Sequence, residues 1–236
     1  MYHQIGQPAP KGSPYRGLTV HPDDFRRQMR WLKRLGYRGL SMAQLMPYLR
    51  GEKQGKVVGI SFDDGYRNVF QNAMPILDEL GFTATNYIVA RHLDGSNFWD
   101  NAKGVPYSGL MSLPELRAWV AAGHEAGSHT LDHVHLSEVS SEIAQYQITQ
   151  SKVELQDLLQ VEINAFCYPY GDQTATIREF VSKAGYVNAT TTDRGLARTD
   201  DDLFDLPRVT VARSTNIVRF LQKCLTRLED KRRTKS

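Results

Sequence analysis

Two short segments carry most of the chemistry open to this chain. In the first, Val57-Val58-Gly59-Ile60-Ser61-Phe62 runs into Asp63-Asp64-Gly65, so an apolar stretch delivers two adjacent carboxylates into a turn. In the second, Ser128-His129-Thr130-Leu131-Asp132-His133 offers two imidazoles four residues apart. One carboxylate with two histidines is a ligand set for a divalent metal that leaves positions open for water and substrate. The other carboxylate is then free to act as a base, which is the outfit of a hydrolase. Neither segment decides the matter alone. Asp-Gly is a common turn dipeptide, and single histidines are more often packed or solvated than ligating. Two charges at the end of an apolar strand must nevertheless be solvated, paired or bound to a metal. His135 is near, but alternation separates its aim from that of His133.

Those groups need a frame, and the hydrophobic pattern supplies one. Phe25, Met29, Leu32 and Leu35 have helical spacing and predict a helix over 23–35, stopped by Gly36. Further helices are predicted over 41–49, 66–80, 138–159, 174–184 and 216–228. Another opens at Ser112-Leu113-Pro114-Glu115, a capping pattern, and closes at Gly123. Strands are predicted over 57–62, 82–90, 124–128, 163–168, 186–192 and 206–211. Such alternation implies an α/β fold of parallel strands with helical crossovers, and this many units favour a distorted barrel related to the TIM barrel. Asp63, Asp64, His129 and Tyr170 would all follow strands at their C-terminal ends, where barrel enzymes assemble their sites.

The bulk properties agree with one catalytic domain over 1–230 and a basic tail over 231–236. Of the 236 residues, 41% are hydrophobic and 23% charged, which suits a globular domain. The net charge of +3 owes much to Lys231-Arg232-Arg233-Thr234-Lys235, and a solvated tail accounts for it without a nucleic-acid partner. Cys167 and Cys224 form neither metal spacing nor a disulfide framework. No apolar run reaches the length of a membrane span. No leader follows Met1, so the chain as it stands reads as cytoplasmic; it reads as extracellular or periplasmic if a leader was removed. Oligomeric state is not readable.

Four motifs in order make a resemblance specific. Ser61-Phe62-Asp63-Asp64-Gly65-Tyr66, Gly123 to Thr130 with His133, Tyr168-Pro169-Tyr170-Gly171 and Leu206-Pro207-Arg208-Val209 together resemble the polysaccharide deacetylases, the NodB-homology domains of carbohydrate esterase family 4. The resemblance runs from Tyr2 to about Val211. It implies that Asp63 is the catalytic base and that Asp64, His129 and His133 bind the metal. Zinc fits that set, with cobalt, nickel and manganese sharing its ligand chemistry. The implied reaction removes acetyl from an N-acetylated hexosamine, N-acetylglucosamine first among them, in a glycan or lipid-linked saccharide. A backbone N–H near Tyr170 would hold the oxyanion.

Two departures from the family pattern stand out. The third motif ordinarily begins with an Arg, where this chain has Phe166-Cys167-Tyr168; Arg208 is the candidate replacement that steadies the base, against a plain packing role. The late general-acid His is absent, since no His follows His135. A branch that includes poly-N-acetylglucosamine deacetylases carries that His near its start, in a sequence resembling Tyr2-His3. His3 is therefore expected to protonate the leaving amine, against the alternative of a disordered terminus. Trp99, in Asn97-Phe98-Trp99-Asp100, either stacks on a sugar or packs over the barrel. Tyr168 joins it as a candidate substrate contact. His21 reads as part of a helix-entry turn. The rival functions are a two-carboxylate glycosidase, for which adjacent Asp63 and Asp64 cannot straddle a bond, and a non-catalytic carbohydrate-binding barrel.

Overall fold

The apolar run that ends in the Asp pair forms the strand on which the rest of the sheet is built. It is split by Ile60 into β4 (Val57–Gly59) and β5 (Ser61–Phe62), and the computed structural model describes residues 1–232 around it. In chain order the other strands are β1 (Gln4–Ile5), β2 (Thr19–Val20), β3 (Arg38–Leu40), β6 (Thr85–Ile88), β7 (Glu125–Ser128), β8 (Ala165–Cys167), β9 (Asn188–Arg194) and β10 (Leu206–Arg208). The helices are α1 (Pro22–Arg34), α2 (Met42–Leu49), α3 (Met74–Leu80), α4 (Leu113–Ala121), α5 (Ser141–Leu159), α6 (Ala175–Lys183) and α7 (Ile217–Leu225). Of the predicted tail, 233–236 lie outside the described residues, while Asp230–Arg232 form a short 3-10 turn.

Strands β5 to β10 make one sheet in the order β10-β9-β8-β7-β6-β5, every pair parallel. β3 pairs with β4 beside it, and β1 with β2. This is the curled parallel sheet with helical crossovers that the alternation predicted, a distorted (β/α) barrel. No ladder joins β5 to β10 among the described residues. Residues 1 and 2 bridge that seam instead. Tyr2 N–H donates to Ser61 O at 2.9 Å and Asp63 N–H to Tyr2 O at 3.1 Å, while Val211 N–H donates to Met1 O at 3.0 Å. Below this bridge the seam holds a 320 Å³ apolar cavity, walled by Met29, Leu45 and Leu206 among others.

Phe62 anchors the strand that carries the carboxylates. It is fully buried among Tyr2, Phe25 and Trp119, with ring centroids 5.7, 5.7 and 6.2 Å away. Burial of one such side chain is worth about 1.5–3 kcal/mol. Local signals set the helix starts. His21 Nδ1 accepts from Asp23 N–H and caps α1, as its helix-entry reading required. Ser112 and Glu115 form the capping box of α4.

Several boundaries differ from the pattern reading. The stretch 66–80 is not one α-helix: Val69–Ala73 winds as a π-turn and α3 starts at Met74. Pro75 has no N–H to give to the preceding turn, so regular α bonding cannot run through it. β10 stops at Arg208 instead of 211, with a register shift between Leu206 and Arg208 around Pro207. β1, β2 and β3 are two or three residues long, too short to show a period.

Candidate active site

The site lies where β5, β7, β8 and β10 end. After Phe62 the chain turns through Asp64 and Gly65, with φ of 77° and 76°. After β7 it turns again, with Thr130 at φ 67° and His133 at 57°, and after β8 once more, with Tyr170 at 61°. Among the described residues seven non-glycine positions have such positive φ, and these four are among them. Left-handed backbone costs of order 1–3 kcal/mol per residue and persists only where the surroundings enforce it. Here α5 does the enforcing: Gln147 Oε1 accepts from Leu131 and Asp132 N–H, both at 3.0 Å, and Thr130 Oγ1 accepts from His133 N–H. Gly171, at φ 77°, completes the Tyr170 turn; a Cβ there would lie 2.0 Å from Thr192 Oγ1. Gly171→Ala is therefore expected to destabilise the fold by about 1–3 kcal/mol, the usual cost of overpacking, read as a lower urea midpoint. An unchanged midpoint would mean that the turn is free to open.

Asp64, His129 and His133 converge, all three buried. Nε2 of His129 and Nε2 of His133 each lie 3.3 Å from Asp64 Oδ1. One ligand atom from each residue falls within 4.8 Å of the others. The tautomer of His129 follows from its far side, where Nδ1 sits 2.7 Å from Cys167 O. A carbonyl only accepts, so Nδ1 carries a proton, and the Nε2 lone pair of the neutral ring would face the carboxylate. Such an arrangement calls for a cation between the groups, and a ligating His held by a carbonyl on its other nitrogen is the usual support of a metal site. The ionisation tendencies agree. Burial opposes the charge of Asp64, yet hydrogen bonds from His129 and His133 hold its carboxyl well below the ordinary range. Burial also disfavours charge on His129, but Cys167 and Asp64 outweigh it and the imidazole is raised. For His133 burial wins and the ring is lowered. The pocket thus accommodates one positive charge between two imidazoles, which a divalent ion would supply.

Asp63 is separately engaged. Arg208 reaches from β10 and grips it with two bonds, Nη1 to Oδ1 at 2.6 Å and Nη2 to Oδ2 at 2.8 Å. The guanidinium is itself fixed by Nε donating to Thr191 O at 2.7 Å and Nη1 to Ser61 Oγ at 3.2 Å. Burial pushes the Asp63 carboxyl up, but the charge of Arg208, then that of His3, brings it below its ordinary value. Each carboxylate oxygen has two lone pairs, so the bidentate grip leaves Asp63 able to accept another proton donor. Cys167 Sγ lies 3.1 Å from Arg208 Nη2, in the motif position that read as lacking its Arg.

The remaining candidates divide. His3 follows the Tyr2–Phe62 bridge, so it is held beside the site rather than loose, and its charge bears on both Asp63 and Asp64. Tyr170 packs edge-on against His133 with centroids 4.7 Å apart, and stacks on His135 at 3.7 Å. Trp99 is half-buried and stacks on His133 at 4.5 Å and 14°, so its packing contact is with a candidate ligand. Tyr168 does not line the site: it is wholly buried, its hydroxyl donating to Phe204 O at 2.9 Å. The expectation of a substrate contact there is corrected: Cys167, the last residue of β8, turns its Sγ toward Asp63 and Arg208, and the next side chain faces the other way, into the core. Sequence reasoning missed Asp100 and Lys103. Their 3.0 Å ion pair stands beside Tyr170, whose ring the Lys103 ammonium covers at 4.6 Å. Their position next to Trp99 was the available signal.

The family model described as polysaccharide deacetylase matches residues 50–189. The chain belongs to the polysaccharide deacetylase family. Among curated relatives of this deacetylase, YxkH of Bacillus subtilis (strain 168), a polysaccharide deacetylase by provisional name, is 27% identical over 90% of this chain and 70% of its own length. The poly-beta-1,6-N-acetyl-D-glucosamine N-deacetylase of Escherichia coli (strain K12) is 26% identical over 89% of this chain, which spans only 36% of that protein. The solved Streptococcus pyogenes deacetylase PplD, in complex with acetate, superposes with a TM-score of 0.82 at 25% identity, covering 94% of this chain and 95% of that one. Among the described residues of this deacetylase no helix is long and apolar enough to cross a membrane.

Proposed function

We propose that this deacetylase hydrolyses the N-acetyl group of N-acetylhexosamine units, N-acetylglucosamine in the first instance, within a glycan or lipid-linked saccharide, and releases acetate. The observation that carries the reading is a buried carboxylate clamped by Arg208 directly beside a buried Asp-His-His cluster. Asp64, His129 and His133 would hold a divalent cation, zinc by donor type. When bound, such an ion lowers the pKa of water and polarises an amide carbonyl. Asp63, kept ionised by Arg208, takes the proton of the attacking water. His3 gives a proton to the leaving amine nitrogen, and the turn at Tyr170 offers backbone N–H to the oxygen that gains charge. The choice of N-acetylglucosamine leans on the relatives named for poly-N-acetylglucosamine.

The test is acetate release from a panel of N-acetylated saccharides, with and without a chelator, followed by add-back of zinc, cobalt, nickel or manganese. Activity should vanish with chelation and return with metal. His129→Ala should lower the bound metal per chain, measured by elemental analysis. Saccharide binding without acetate release from metal-replete protein would overturn the proposal in favour of a binding barrel.

A further inference from the structure

At the seam between β5 and β10, which no ladder closes among the described residues, the hydrophobic core is interrupted. The buried apolar side chains fall into two clusters, one holding Met29, Leu32 and Phe220, the other Met42, Leu45 and Leu206. All six line the 320 Å³ seam cavity, so the cavity is the gap between the clusters. A domain ordinarily packs around one contiguous core, and an apolar void costs stability in proportion to its volume. The size falls in the range of about 300–1,000 Å³ typical of ligand pockets.

The cavity has a closed end and a mouth. Ser61, Thr190 and Arg208, all buried, stand at the closed end, while Arg198, Thr199 and Leu225 at the mouth are exposed. Every N–H of the Arg208 guanidinium is spent: Nε on Thr191 O, Nη1 on Asp63 and Ser61, Nη2 on Asp63 and Cys167 Sγ. Its charge is answered by Asp63, so it offers nothing to an anionic head. Among the described residues Thr190 Oγ1 is the one buried polar side-chain atom on these walls without a partner. A lone hydroxyl does not hold a water, which needs about two to four polar partners. Between the two ends the space follows the seam, flanked by α1, α2 and α7, and the thioethers of Met29 and Met42 adapt to an irregular guest. Such a slot suits a narrow apolar chain. Residues 233–236, which lie outside the described residues, are Arg-Thr-Lys-Ser and supply no apolar side chain to fill it.

We infer that the seam cavity binds a single aliphatic chain, acyl or isoprenyl, with its polar end left at the mouth beside Arg198 and Thr199. None of Asp63, Asp64, His129 and His133 lines it, so this site is distinct from the one that would take a saccharide, and it stands whether or not the deacetylase reading does. An occupant joins the two clusters into one core. It therefore favours the folded chain, and the melting temperature rises with its concentration.

The experiment measures Kd by calorimetry, and melting temperature, for 1-butanol, 1-hexanol, 1-octanol and 1-decanol on the full chain. Binding should saturate at one molecule per chain, tighten by about fourfold for each added methylene, and raise the melting temperature. Ala197→Trp places an indole in the half-buried lining near the mouth. It should weaken 1-decanol by about tenfold or more, the equivalent of two lost methylene contacts. Leu225→Asp, on an exposed side chain that a folded chain tolerates, should weaken it in the same direction if the Trp variant does not fold. Geraniol is compared with 1-decanol at equal carbon count, and the tighter of the two assigns the chain as isoprenyl or acyl. Uptake that does not saturate, affinity independent of chain length, or parental 1-decanol binding in a folded Ala197→Trp overturns the inference. Acetate release enters none of these measurements, so the deacetylase reading is judged separately.

Discussion

Asp63→Asn is expected to lower acetate release by about 10²–10⁴-fold, the range over which a positioned base contributes, while metal content stays near that of the parent. The amide keeps the shape of the side chain but cannot accept the proton of water as a carboxylate does. Asp64, His129 and His133 form their own cluster and do not need Asp63 to meet. The substitution has a second consequence. Arg208 is buried and its charge is answered by Asp63. Stability should therefore fall too, by up to about 3–5 kcal/mol, because a lone buried charge is left behind. Assays belong well below the melting temperature of the variant, with elemental analysis on the same sample. A folded variant that keeps its metal and near-parental turnover would remove Asp63 from the reaction.

Arg208→Met should destabilise the fold by a similar amount, about 3–5 kcal/mol, and for the mirror-image reason, an unanswered carboxylate. The pH dependence follows from the direction of the Asp63 shift. Burial raises this carboxyl and Arg208 more than offsets it, so its native pKa lies below the ordinary 3.8. A group lowered in the folded state stabilises above its unfolded pKa and loses that contribution as pH falls through its folded pKa. The gap in urea midpoint between parent and Arg208→Met should be widest near neutrality and narrow as pH falls, first as the unclamped carboxylate of the variant, pushed up by burial, takes a proton, and then as that of the parent does. Turnover should fall as well, since the base loses the two bonds that orient it. A gap that is flat from neutral to strongly acid pH would mean that the pair contributes nothing beyond packing.

The strand that bears the Asp pair, the helices on either side and the two-histidine turn could be read from sequence because each has a period or a cap that local physics imposes. Val57 to Phe62 is apolar but for Ser61, as suits a parallel strand covered on both faces. Ser112 to Glu115 is a capping box and behaves as one. What escaped was non-local. Gly39 in β3 carries no period, yet a Cβ there would press within 2.5 Å of Ile60 Cδ1, a contact visible only once the strands are side by side. Tyr168 and Tyr170 share one motif, and nothing in Tyr-Pro-Tyr says which ring faces the core. Arg208 could be named as a candidate because the expected Arg was missing from the third motif. Its grip on Asp63 depends on β5 and β10 meeting across the seam, which no local pattern encodes.

That seam has a bearing on how the chain becomes competent. Asp63 and Arg208 are 145 residues apart in sequence, and Met1 O is tied to Val211. Contacts of such separation form only after the intervening loop entropy has been overcome. Asp63 can meet its guanidinium only once the two edges of the sheet are drawn together. A chain whose edges have not met has an unclamped carboxylate, so hydrolytic capacity should emerge only with the finished barrel.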